Sequence, residues 1–124
     1  MAIKRFEEIE AWQIARELTH CIHRETRSTA LREDPDLRHQ MRRSAVSVMA
    51  NIAEGFDAGT DLSFARYLRI ARASASELQS HLYVCLDEGF IPKDAFQKMY
   101  DLAANAKRRL CGFIQYLKQS SSAK

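Results

Sequence analysis

Between Gln40 and Gly55 the apolar residues Met41, Ala45, Val48 and Ile52 recur in steps of three and four. That spacing stacks them along one side of an α-helix and buries that side. Gly55 reads as the stop. A residue just past a helix end commonly takes the left-handed conformation, which glycine enters without a Cβ penalty, and Phe56 can then pack back over the last turn near Ala50. The rest of the chain has the same character. Its 124 residues include four glycines and two prolines, too little turn material for a many-stranded sheet protein, while Ala, Leu, Arg, Glu, Lys and Gln favour helix. The expectation is an all-α fold in one domain, residues 1–124, large enough for a core without disulfides or a structural metal.

Four helices can be bounded. The first covers about residues 8–28 on the pattern Trp12, Ala15, Leu18 or Thr19, and Ile22, with Trp12 as a packing anchor. Residues 28–33 are the stretch least suited to regular structure. Asp34-Pro35-Asp36 then offers an N-cap acceptor, a proline for the first helical position and a carboxylate for the first turn, so the second helix covers about 35–54. Beside its main stripe, Val46, Met49 and Ala53 form a second apolar sector, read as contact with a neighbouring helix or another subunit. Thr60 caps the third helix, about 61–88, whose stripe includes Phe64, Leu68, Ala75 and Leu82 and which stops at Gly89. Its middle, Ala71 and Ala73 to Ser76, is small enough for a partner helix to come close. The fourth covers about 93–119, and 120–124 read as a solvated tail. Four such helices on short loops pack most simply as an antiparallel up-down-up-down four-helix bundle.

The net charge is +3, and it is unevenly placed. Residues 1–35 carry six basic and seven acidic side chains, whereas residues 93–124 carry seven and two, so a polyanion would meet the last quarter first. Cys21, Cys85 and Cys111 are odd in number and far apart, which argues against a secreted disulfide framework. With no signal-like start and no run able to span a bilayer, the expectation is a cytoplasmic protein with no membrane role.

Several blocks carry a resemblance: Phe6-Glu-Glu-Ile-Glu-Ala-Trp12-Gln13-Ile-Ala15, Gln40-Met-Arg-Arg-Ser-Ala45-Val-Ser47-Val, Asn51-Ile-Ala-Glu54-Gly55, and Phe64-Ala-Arg-Tyr-Leu68-Arg-Ile-Ala71-Arg-Ala-Ser74-Ala-Ser-Glu77-Leu. In order and spacing they are similar to the four-helix bundle family named for intervening sequences in large-subunit (23S) ribosomal RNA genes. The resemblance runs from about Phe6 to the end of the fourth helix, and Asn51, Glu54 and Gly55 are its most specific markers. It implies short antiparallel bundles assembled as ring-shaped homopentamers. A further likeness, to the accessory variability determinant protein of diversity-generating retroelements, implies a basic surface that works with nucleic acid and a reverse transcriptase. The chain departs from the pattern at Met49, where proline is common, at Ser63, where glutamate usually completes a capping box, and at Ala73, where glycine is common.

Three basic groups are candidates for phosphate contact: Arg38, Arg42 and Arg43; Arg66, Arg69 and Arg72; and Lys107, Arg108 and Arg109. The second group falls three apart and forms a stripe mostly off the core side of its helix. Such cations neutralise phosphates and release counterions, which gives binding that weakens with salt and needs no base contacts. The same residues also suit a solvated helix face. Neither His20 with His23 nor His81 with Cys85 supplies the converging ligands of a zinc site, and no serine or glycine-loop pattern indicates catalysis. The expectation is therefore a non-enzymatic oligomer without cofactor or metal that binds RNA or DNA, with a protein-interaction scaffold as the alternative.

Overall fold

The computed structural model describes residues 2–122. A 3₁₀ turn at Phe6–Glu8 leads into α1 (Glu10–Glu25), a single-turn α2 (Thr29–Arg32), α3 (Pro35–Phe56), α4 (Asp61–Asp87) and α5 (Lys93–Ser122). Helix α5 thus takes in residues 120–122 of the expected tail; 123 and 124 lie outside the described residues. Side chains set the starts. The Asp34 carboxylate accepts the Leu37 N–H at 3.2 Å, with Pro35 at the first helical position, and Thr60 Oγ1 accepts the Ser63 N–H at 3.1 Å. Each satisfies one of the donors a helix leaves unpaired at its start. The end of α4 is closed by Gly89 at φ 72°, whose N–H donates to Leu86 O at 3.1 Å while the Phe90 N–H donates to Cys85 O at 2.9 Å. That pair of reversed bonds is a Schellman turn, and its left-handed residue is best a glycine.

Gly55 does something else. Helix α3 runs through Phe56, Gly55 has no positive φ, and the left-handed residue of this loop is Gly59 at φ 91°. Gly55 is required for space: a Cβ on it would stand 2.8 Å from Tyr67 Cβ and 2.9 Å from Phe64 Cδ1, on the facing helix. With no turn at Gly55, Phe56 continues the helix and meets Phe64 edge-on at 6.2 Å between centroids. Residues 28–33 also differ from the expectation. Ser28 Oγ accepts the Leu31 N–H and starts α2, which drives Leu31 fully into the core. Helix α1 is shorter than expected at both ends, and Trp12 is half-buried at the core's rim, edge-on to Phe6 at 5.2 Å.

The long helices occupy the corners of a square. Helix α1 packs on α3 and α5, and α4 packs on the same two, while among the described residues neither diagonal pair comes as close. The core falls into two clusters that cut every long helix in half. Leu18, Met41, Leu82 and Met99 belong to one, and Ala15, Ile52, Leu68 and Ile114 to the other. The late half of α1 therefore meets the early half of α3, the late half of α4 and the early half of α5, which is antiparallel alternation around an up-down-up-down bundle. Ala71 and Ala75 are fully buried, as the small middle of α4 implied, whereas Ala73 and Ser76 face solvent. The Cys85 thiol lies 3.2 Å from Met41 Sδ, and burial, followed by the nearby Asp34, pushes its pKa up to about 11.

The close approach at Gly55 and the burial of the thiols can each be checked. Gly55→Ala should lower stability to urea by about 1–3 kcal/mol through overpacking, against the roughly 1 kcal/mol that alanine gains in a helix interior. A stabilised variant would mean that α3 and α4 are not this close. Iodoacetamide at mildly alkaline pH should label exposed Cys111 in the folded protein, and buried Cys21 and Cys85 only after unfolding, as mass spectrometry can read.

Candidate nucleic-acid interface

The nine candidate cations separate into those the fold uses and those it leaves to solvent. Arg42 belongs to the fold. Its Nε donates to Thr26 Oγ1 at 2.9 Å and its Nη2 to His23 O at 3.3 Å, placing a cation on the C-terminus of α1, where the helix dipole favours it. Burial, then Arg38 and Arg27, lowers the pKa of this guanidinium. Lys107 Nζ donates to Gln79 Oε1 at 3.0 Å and ties α5 to α4. Arg109 bridges α5 to α1 through Glu10 at 2.6 Å, an exposed pair of small energetic weight. Arg72 is half-buried, with Nη1 3.6 Å from Cys111 Sγ.

Arg43, Arg66, Arg69 and Arg108 are exposed, and Arg38 is half-buried. None of these five is in an ion pair among the described residues; Arg108 donates to Asn105 Oδ1 at 3.2 Å. They do not form one patch. Arg38 and Arg43 are on α3, Arg66 and Arg69 on α4, and Arg108 on α5, whose packing on α4 brings the last three to neighbouring helices.

The other side of α4 meets α3 through a polar seam. Ser44 Oγ bonds Gln40 O at 2.9 Å and Glu77 Oε1 at 3.0 Å, and His81 Nε2 lies 3.4 Å from the same carboxylate oxygen. Ser47 and Ser74 hydroxyls meet at 2.9 Å, and Asn51 Nδ2 donates to Ser47 O at 2.8 Å. An open groove of about 500 Å³ lies over this seam, with Asp36, His39, Arg43 and Glu77 among its lining residues. Sequence reasoning missed the Ser44–Glu77–His81 contact, because Ser44 and Glu77 are 33 residues apart and only the helix pairing joins them. The carboxylate sits between serine and histidine, so the histidine is not placed to take the serine's proton.

Of the marker residues, Asn51 bonds its own helix, Gly55 is the contact point with α4, and Glu54 is exposed. Val46 is 48% exposed and Ala53 half-buried, while Met49 is half-buried against the cluster containing Ile52. The second apolar sector is thus partly consumed within the bundle. Among the described residues no group of three or more His, Cys, Asp or Glu side chains is arranged to hold a metal, and no helix is long and apolar enough to cross a membrane.

This arrangement defines a class: antiparallel helical bundles whose central helix pair is drawn close by glycine, alanine and serine. Within that class the chain belongs to the 23S rRNA-intervening sequence protein family, which it matches over residues 7–112. Its fold is similar to the crystal structure of a protein of unknown function from the S23 ribosomal protein family of Bacteroides thetaiotaomicron, with a TM-score of 0.75 and 19% identity. The alignment covers 85% of this chain and 95% of that one. No curated protein matches the sequence.

The division of the cations has a measurable consequence. Arg42→Ala should cost about 1.5–3 kcal/mol in urea unfolding, since it removes charged hydrogen bonds from the end of α1, whereas Arg66→Ala should stay within about 0.5 kcal/mol. Equal effects would contradict the separation of structural from free arginines.

Proposed function

We propose that the protein is a non-enzymatic, self-assembling helical bundle that binds RNA or DNA electrostatically. The observation that carries the reading is the set of exposed arginines, Arg43, Arg66, Arg69 and Arg108, without carboxylate partners among the described residues of a chain of net charge +3. A family named for a ribosomal RNA insertion supports it. Assembly as a ring, a homopentamer by the resemblance, would repeat a modest patch several times and turn weak contacts into multivalent ones. In this reading the chain acts as an accessory to a nucleic-acid-processing partner such as a reverse transcriptase, in the cytoplasm.

A second reading, a protein-interaction scaffold with no nucleic-acid role, is favoured by the exposed apolar residues of α4: Leu62 at 66%, Ile70 at 45% and Val84 at 44%. The two readings separate in a gel-shift series. The electrostatic reading expects labelled RNA or DNA to be retarded at low salt and released as salt rises, with the triple change of Arg66, Arg69 and Arg72 to Glu weakening binding at least about tenfold and reducing the salt slope. No retardation by the assembled protein at low salt would overturn it, and a monomer by light scattering at micromolar concentration would overturn the assembly.

A further inference from the structure

We propose that the seam between α4 and α5 is a track for single-stranded nucleic acid, with Tyr83 and Tyr100 as its base-stacking platform and Lys107, Arg72 and Arg69 as its phosphate contacts. The inference rests on the nucleic-acid reading and adds the class of strand and the path it takes.

The platform is at one end of the seam. Tyr83, on α4, is 48% exposed, and its ring centroid lies 5.6 Å from that of Tyr100 and 5.1 Å from that of Phe96, both on α5. Phe96 is buried and stands 5.5 Å from Tyr100, so it props both tyrosines from below. Hydrogen bonding with Tyr100 raises the pKa of Tyr83 from the ordinary phenol value. Rings already held in place give a base an aromatic face at little cost in conformational entropy, and stacking of this kind tolerates any base.

The cations follow in order along the same seam. Gln79 donates to Tyr100 O at 3.5 Å and accepts from Lys107 Nζ at 3.0 Å, which sets the ammonium next to the platform with donors to spare. Arg72 comes next, against Cys111, and exposed Arg69 lies one turn farther. From Tyr83 to Arg69 is fourteen residues, about 21 Å of helix, a length suited to a short run of nucleotides.

Carboxylates are sparse along this path beyond its aromatic end, where Asp101 adjoins Tyr100. Glu77 is the one carboxylate in α4 between Asp61 and Asp87, and it is turned to the opposite seam, onto Ser44 and His81. Helix α5 has no acid from Leu102 to Ser122. The α3–α4 groove, by contrast, contains Asp36 and Glu77 beside Arg43. Of the two seams flanking α4, one combines aromatic faces with a run of positive charge, with exposed Asp87 and Asp101 at its aromatic end, and the other is mixed in sign along its groove.

The test is fluorescence anisotropy at low salt with four labelled probes of equal length: oligothymidylate, oligouridylate, an abasic strand and a duplex. Stacking predicts that the base-bearing single strands bind about tenfold or more tighter than the abasic strand and the duplex. Tyr83→Ala, checked for helix content by circular dichroism, should lose about tenfold on the single strands and nothing on the abasic strand, while Tyr83→Trp retains binding. Equal affinity for all four probes, or Tyr83→Ala binding as tightly as the parent, overturns the track and leaves charge-only binding standing. Absence of binding to every probe overturns the parent reading as well.

Discussion

The close approach of α3 and α4 is the contact on which the rest depends. Gly55 gives up a side chain so that Tyr67 and Phe64 can sit against the α3 backbone. Buried Ala71 and Ala75 continue the approach along α4. Apolar residues this small leave little area to bury, and serine hydroxyls supply the specificity instead: Ser44 on Glu77 and Ser47 on Ser74 fix the register of the two helices. Among the described residues every buried side-chain nitrogen or oxygen has a partner, so this polar seam carries no unsatisfied group. With α3 and α4 locked, α1 and α5 close the square around them.

That lock also sorts the charges. Drawing Glu77 and His81 toward α3 removes the middle carboxylate of α4 from the face shared with α5. The bundle consequently has one seam of mixed sign and one that is aromatic at one end and positive along the rest. Several cations have structural duties, above all Arg42, which satisfies the end of α1, and Arg109, which pairs with Glu10. A count of basic residues overstates the surface available to a polyanion, and the position of each side chain decides how much of it remains.

Much of the architecture is legible in the sequence because its signals are local. The Asp34 and Thr60 caps and the Gly89 turn depend on residues within a few positions of one another. Gly55 is misread for the opposite reason: a glycine needed for space across a helix pair looks, along the chain, like a glycine needed for a turn. The same blindness applies to Ser28–Arg32, where a capped single turn forms because Leu31 has a core to enter. The candidate cations are visible as residue types, but Thr26, Gln79 and Glu10, which engage three of them, are 16, 28 and 99 residues away. Tyr83 and Tyr100 carry no periodic signal, since an exposed tyrosine beside a core stripe becomes a platform only when a second helix brings its partner.

The central claim is that nucleic acid lies along the α4–α5 face, and photo-crosslinking tests it most directly. Uridine-rich single strands irradiated with the protein, followed by mass spectrometry of the adducted peptides, would map the path without any substitution. Adducts are expected between Arg69 and Tyr83 of α4 and between Tyr100 and Cys111 of α5. Adducts concentrated on the α3–α4 groove, around Asp36 to Ser47, would contradict it.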